Sequence, residues 1–151
     1  MERTDLIARE HIRDLLARYT WAGDRGDAAG LADCFTANGV LDLGGHGGTI
    51  QGRDAIAAEI TKVIARAATA GGSPGPVHHH VSSVLIDLDH HDSATVQSYF
   101  LVITAIGPDH WGRYADRVVE TVPGGPWRFA ERKVRVDGHA PGSLVVRGDS
   151  A

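Results

Sequence analysis

Three consecutive histidines, His78, His79 and His80, stand where a Gly/Pro-rich stretch passes into a run of strand-forming residues, Val81-Ser-Ser-Val-Leu-Ile-Asp-Leu88. Imidazole is the side chain best suited to moving protons near neutral pH. Successive side chains of a strand alternate between faces, so His79 points to one side of a sheet and His78 and His80 to the other. If one face lines a pocket, one or two of these rings enter it, and a carboxylate there would complete an acid–base pair. His78 and His80 share a face and so present, in principle, a chelating pair, with His90, His91 and His110 as further ligand types. His90 and His91 sit in an Asp-rich turn, however, and no zinc-protease helix motif or cysteine ligand set accompanies them, so no metal site is expected. The single cysteine, Cys34, excludes an intramolecular disulfide. Its setting, Leu31-Ala-Asp-Cys-Phe35, reads as a helix end and a packed thiol, not a nucleophile.

Helices precede strands. Apolar residues Leu6, Ile7, Ile12, Leu15, Leu16 and Tyr19 recur at helical spacing and predict an amphipathic helix over residues 4–21. Asp27 is an N-cap for a short second helix, Ala28 to Phe35. Two short strands, 40–43 and 48–52, flank a glycine-rich turn through His46, and Asp54 caps a third helix from Ala55 to about Ala70. Beyond this the period changes to that of strands. Runs 81–88, 94–106, 114–122 and 127–136 are separated by the turn signals Asp89-His-His-Asp-Ser, Gly107-Pro-Asp and Pro123-Gly-Gly-Pro. The reading is an α+β domain over residues 1–138, with a tail, 139–151, of little pattern that is expected to be mobile.

Bulk properties narrow the function classes. The 151 residues suit one domain with its own core, and the 42% hydrophobic and 23% charged content is ordinary for a globular protein. A net charge of −4 gives no electrostatic reason to expect nucleic acid or an anionic membrane as partner. No apolar run approaches a membrane span and no export signal stands at the start, so a cytoplasmic location is expected. Phosphate loops and dinucleotide fingerprints are missing.

Several motifs in order carry a resemblance: Tyr19-Thr-Trp-Ala-Gly-Asp24, Gly26-Asp27, Leu31-Ala-Asp-Cys-Phe35, Gly52-Arg-Asp-Ala-Ile56, His79-His-Val-Ser-Ser83, Gly112-Arg-Tyr-Ala-Asp116 and Trp127-Arg-Phe-Ala-Glu-Arg132. Through them the chain resembles the SnoaL-like branch of the nuclear transport factor 2-like superfamily, with its scytalone and bile-acid dehydratases, isomerases and polyketide cyclases. The resemblance implies a cystatin-like α+β fold: a curved antiparallel sheet forms a cone, and N-terminal helices cover a hydrophobic cavity. It also implies a homodimer or homotrimer.

By the same resemblance Asp24 and His79 match an acid–base dyad of the dehydratase-like members, and Tyr19 matches a tyrosine five residues before the Asp. Arg132 corresponds loosely to an arginine of the dehydrochlorinase member, which makes it a substrate-binding candidate, with a structural ion pair within the sheet as the alternative. Trp21 and Tyr99 are further substrate-binding candidates. The implied activity is cofactor-independent: a dehydratase, isomerase or cyclase acting on a small apolar cyclic or polyketide-like molecule. Two readings from other classes stay open beside it: a non-catalytic receptor for a hydrophobic ligand, and an accessory subunit of a larger oxygenase.

Overall fold

The computed structural model describes residues 2–69 and 75–146. Helix α1 (Arg3–Asp24) starts where the Glu2 N–H donates to the Asp5 carboxylate, and it buries Ala8, Ile12, Leu15, Leu16 and Ala22 along one stripe. Helix α2 (Ala28–Asp33) is capped by Asp27, whose carboxylate accepts from the Gly30 N–H at 2.8 Å. Strands β1 (Phe35–Asp42) and β2 (Thr49–Gln51) follow, then α3 (Arg53–Thr69) and four long strands: β3 (His78–His90), β4 (Ser93–Thr104), β5 (Gly107–Glu120) and β6 (Trp127–His139).

The six strands make one curved, unclosed sheet in the order β2-β1-β6-β5-β4-β3. All neighbours run antiparallel except β1 and β6, which are parallel. Register shifts in β3, β4, β5 and β6 bend it. The shift between Ser82 and Leu85 includes Ser83 at φ 52°, a left-handed conformation uncommon for a residue other than glycine. The helices pack on the concave face. Ile12, Leu15, Leu16, Phe35, Leu41, Ile56, Val96, Val118 and Phe129 form the main core there. Each fully buried aliphatic side chain contributes about 1.5–3 kcal/mol. A second, smaller cluster, Phe100, Val102 and Tyr114 with partly buried Val77, Val81, Val134 and Val136, lines the same face toward the start of β3.

Arg53 ties α3 to β1: its Nε and Nη2 both donate to the Phe35 carbonyl, at 3.0 and 2.7 Å. Gly112 is required by close approach, since a Cβ there would collide with the Arg135 carbonyl and the Phe100 ring.

Three differences from the sequence reading affect the site. Phe35 opens β1 and does not close α2, because its ring is buried against Phe129 at 5.3 Å between centroids. Strand β3 begins at the histidine triplet itself, three residues before the expected start. The Gly107-Pro-Asp signal lies inside β5: the turn is made by Ala105 and Ile106, and Gly107, at φ 90°, returns the chain directly into the strand. Asp109 and His110 are therefore sheet residues. Beyond β6, the Ala140 N–H donates to the Asp109 carbonyl, and residues 140–146 lie against the start of β5. Residues 147–151 of the expected tail, and 71–74 of the Gly/Pro stretch, fall outside the described residues.

No described helix is long and apolar enough to cross a membrane.

Candidate active site

Alternation sorts the histidine triplet as strand geometry requires. His78 and His80 are exposed, while His79 is partly buried and faces the last turn of α1. There its Nδ1 lies 2.5 Å from Asp24 Oδ1, and its own backbone N–H donates to the same carboxylate, at 3.1 Å from Oδ2. Two donors from one residue grip one carboxylate and fix both ring and acid. With Nδ1 engaged, the other ring nitrogen, Nε2, has no hydrogen-bond partner among the described residues. The His79 side chain keeps 26% exposure and that of Asp24 12%, so the pair is accessible to a ligand.

Tyr19 and Arg132 sit deeper and belong together. Arg132 Nε and Nη2 donate to the two carboxylate oxygens of Asp116, at 2.9 and 2.7 Å, in a fork-to-fork pair. The guanidinium is enclosed by the rings of Tyr19, Tyr114 and Phe129 at 4.2, 4.0 and 4.2 Å. Burial acts to lower the Arg132 pKa, but the charge and hydrogen bonds of Asp116 more than offset it, and the group stays cationic. One nitrogen, Nη1, is sealed from solvent and has no partner among the described residues; the same holds for Ser98 Oγ on β4. Burial pushes the phenols of Tyr19 and Tyr114 up, so both stay neutral donors.

The remaining expected ligand contacts lie elsewhere. Trp21 is exposed on α1, with the Arg25 guanidinium 4.7 Å above its ring. It borders two hollows that flank α1, of about 630 and 320 Å³; neither contains Asp24 or His79. Tyr99 is not brought to the dyad. Ser98 and Phe100 face inward, so Tyr99 between them is turned to the convex face, where it is 57% exposed. The thiol of Cys34 donates to the Gly30 carbonyl and is pushed up to about 11 by burial, which leaves it protonated. No cluster of three or more metal-ligating side chains occurs among the described residues.

One pair escaped the sequence reading. The His110 Nδ1 lies 2.8 Å from Asp109 Oδ1, both residues being buried. Asp109 also accepts from Thr104 Oγ1 at 3.0 Å, Ser143 Oγ at 2.5 Å and the Leu144 N–H at 2.8 Å. Burial alone would raise its pKa, but these donors together hold it down at about 2. The one sequence clue was polar Asp109-His110 directly beside the apolar Trp111, which a turn reading had absorbed.

Residues 4–133 match the family described as a SnoaL-like domain. Among solved structures, a protein of unknown function from Mycobacterium tuberculosis is 28% identical, with 96% of this chain and 87% of that chain covered and a TM-score of 0.73. A nuclear transport factor 2-like protein with a cystatin-like fold from Novosphingobium aromaticivorans is 26% identical, with 97% and 98% covered and a TM-score of 0.72. A scytalone dehydratase-like protein from the same organism is 24% identical, with 93% and 94% covered and a TM-score of 0.75, a likeness of fold alone. No curated protein sequence matches the chain.

Proposed function

The chain belongs to the SnoaL-like family, and on that premise we propose that it is a cofactor-independent acid–base enzyme in which Asp24 and His79 remove and return protons on a small apolar cyclic molecule. The observation that carries this reading is the 2.5 Å contact between His79 Nδ1 and Asp24, beside a second ring nitrogen that is left unpaired among the described residues. An ionised Asp24 holds the proton on Nδ1, so Nε2 presents its lone pair. That lone pair takes a hydrogen from a carbon next to a carbonyl; the C–H electrons move into the carbonyl and give an enolate. The imidazolium formed is stabilised by Asp24. It then gives its proton to a departing hydroxide, which leaves as water, or to another carbon, which completes an isomerisation. The neutral phenols of Tyr114 and of Tyr19, which packs edge-on against it, are donors for the enolate oxygen.

The dehydratase reading draws on the fold likeness to a scytalone dehydratase-like protein. The expected self-association finds support in Leu85, Tyr99 and Trp111, all exposed on the convex face. Hydrogen–deuterium exchange tests the chemistry without knowledge of the natural substrate. In heavy water the protein should speed deuterium uptake at the acidic carbon of β-tetralone, and His79→Gln or Asp24→Asn should each reduce that rate by about 10²–10⁴-fold. Full exchange activity in a folded His79→Gln variant would remove the proposal.

A further inference from the structure

His79 is directly opposite Val102 on β4, and Val102 is directly opposite His110 on β5. Residues paired in this way share a face. The two His–Asp pairs thus stand in one row on the concave face, two strand spacings or about 10 Å apart between backbones. The floor between them is apolar: Val102 is fully buried, and the edge of Phe100 meets the His110 ring at 6.0 Å between centroids.

Asp109 orients His110 as Asp24 orients His79. With four donors on it, the carboxylate is fixed and ionised, so the proton of His110 sits on Nδ1 and Nε2 presents a lone pair. Burial pushes the His110 pKa down, against the opposite pull of Asp109, so the ring is neutral near physiological pH. Its Nε2 accepts no hydrogen bond from the described residues. A nearly buried histidine that serves packing alone is satisfied at both nitrogens. Here the second nitrogen is an acceptor without a partner among the described residues, on a ring packed beside an apolar floor, and the group that complements it is a hydroxyl hydrogen. A carbonyl or an enolate offers none.

We propose that His110 is the substrate-hydroxyl acceptor of this site, and that the natural substrate is a cyclic molecule with a hydroxyl group on the side of the ring opposite its acidic carbon. The inference rests on the acid–base reading of His79 and assigns a substrate class to it. The stretch Ser143–Val146 enters through Asp109: Ser143 Oγ and the Leu144 N–H hold the carboxylate that holds the ring.

β-Naphthol, a fused ring with one hydroxyl, and its methyl ether, which lacks only the hydrogen-bond donor, separate recognition from packing. The intact protein should bind the naphthol about tenfold more tightly than the ether. His110→Phe keeps a ring and leaves Asp109 three other donors, so the fold should persist while the preference disappears; His110→Gln, which restores an acceptor, should recover part of it. In the unmutated protein the imidazole nitrogen-15 signals of His110 should shift on naphthol addition. An undiminished preference in folded His110→Phe would overturn the assignment, as would His110 signals that stay still while those of His79 move; that second outcome leaves the reading of His79 standing. Movement at His110 with none at His79 would do the reverse and sustain the acceptor while removing the dyad.

Discussion

Two basic side chains on the concave face are each held by a carboxylate, Arg132 by Asp116 and His79 by Asp24, and the two pairs have opposite character. Arg132 gives two N–H groups to one acid, is caged by three rings and keeps 1% exposure. His79 gives one ring nitrogen to its acid, has no partner for the other among the described residues and remains partly exposed. The first arrangement is closed to solvent: its charge and two N–H groups are committed to Asp116 and the rings, and its remaining nitrogen, Nη1, is sealed, so the pair serves the fold. The second fixes orientation and leaves capacity over, which is what a proton-transfer group needs. Neither residue type nor an unused nitrogen separates the two; access does.

The sharpest way to break the contrast is to remove one partner from each pair. Asp116→Ala strands a buried cation and should cost about 3–5 kcal/mol in denaturant-induced unfolding. Asp24→Ala, at a partly exposed pair, should cost about 1 kcal/mol or less in the same measurement. Equal losses would dissolve the distinction between the two ends. Acid titration sharpens it further. The folded pKa of Asp109, about 2, lies below its ordinary value of 3.8. Its contribution is therefore present above the ordinary value and is lost as pH falls from there toward the folded value. Stability measured across that interval should fall by about 2 kcal/mol, and the Asp109→Asn variant should lose that pH dependence. The smallest effect is expected on the convex face: Tyr99→Ser should change stability by about 0.5 kcal/mol or less and leave β-naphthol affinity untouched. Weakened naphthol binding would return Tyr99 to the ligand side.

Much of the architecture was legible in the sequence. The three helices and the β3–β6 meander follow from periodicity, and strand alternation correctly separated His79 from His78 and His80. Asp24 needed the family resemblance, because no spacing rule relates residues 24 and 79 across the chain. Arg132 shows the limit of motif transfer: its position in the sequence says nothing of the aromatic cage that forms only when α1, β5 and β6 meet. Asp109 and His110 were missed because Gly107-Pro-Asp has strong turn chemistry, while a two-residue turn one step earlier satisfies the same need and leaves the strand free to start at once. Tyr99 fell on the wrong face for the reason that divides the triplet: one residue of offset in a strand reverses the side.

That Asp24 and His79 act as one unit is tested most directly by a double-mutant cycle on deuterium uptake by β-tetralone, with Asp24→Asn, His79→Gln and the combined variant. If Asp24 works only through the imidazole it orients, the double variant should be no slower than folded His79→Gln alone. Rate losses that multiply across the cycle, in proteins of unchanged fold, would contradict the dyad and leave two independent groups in its place.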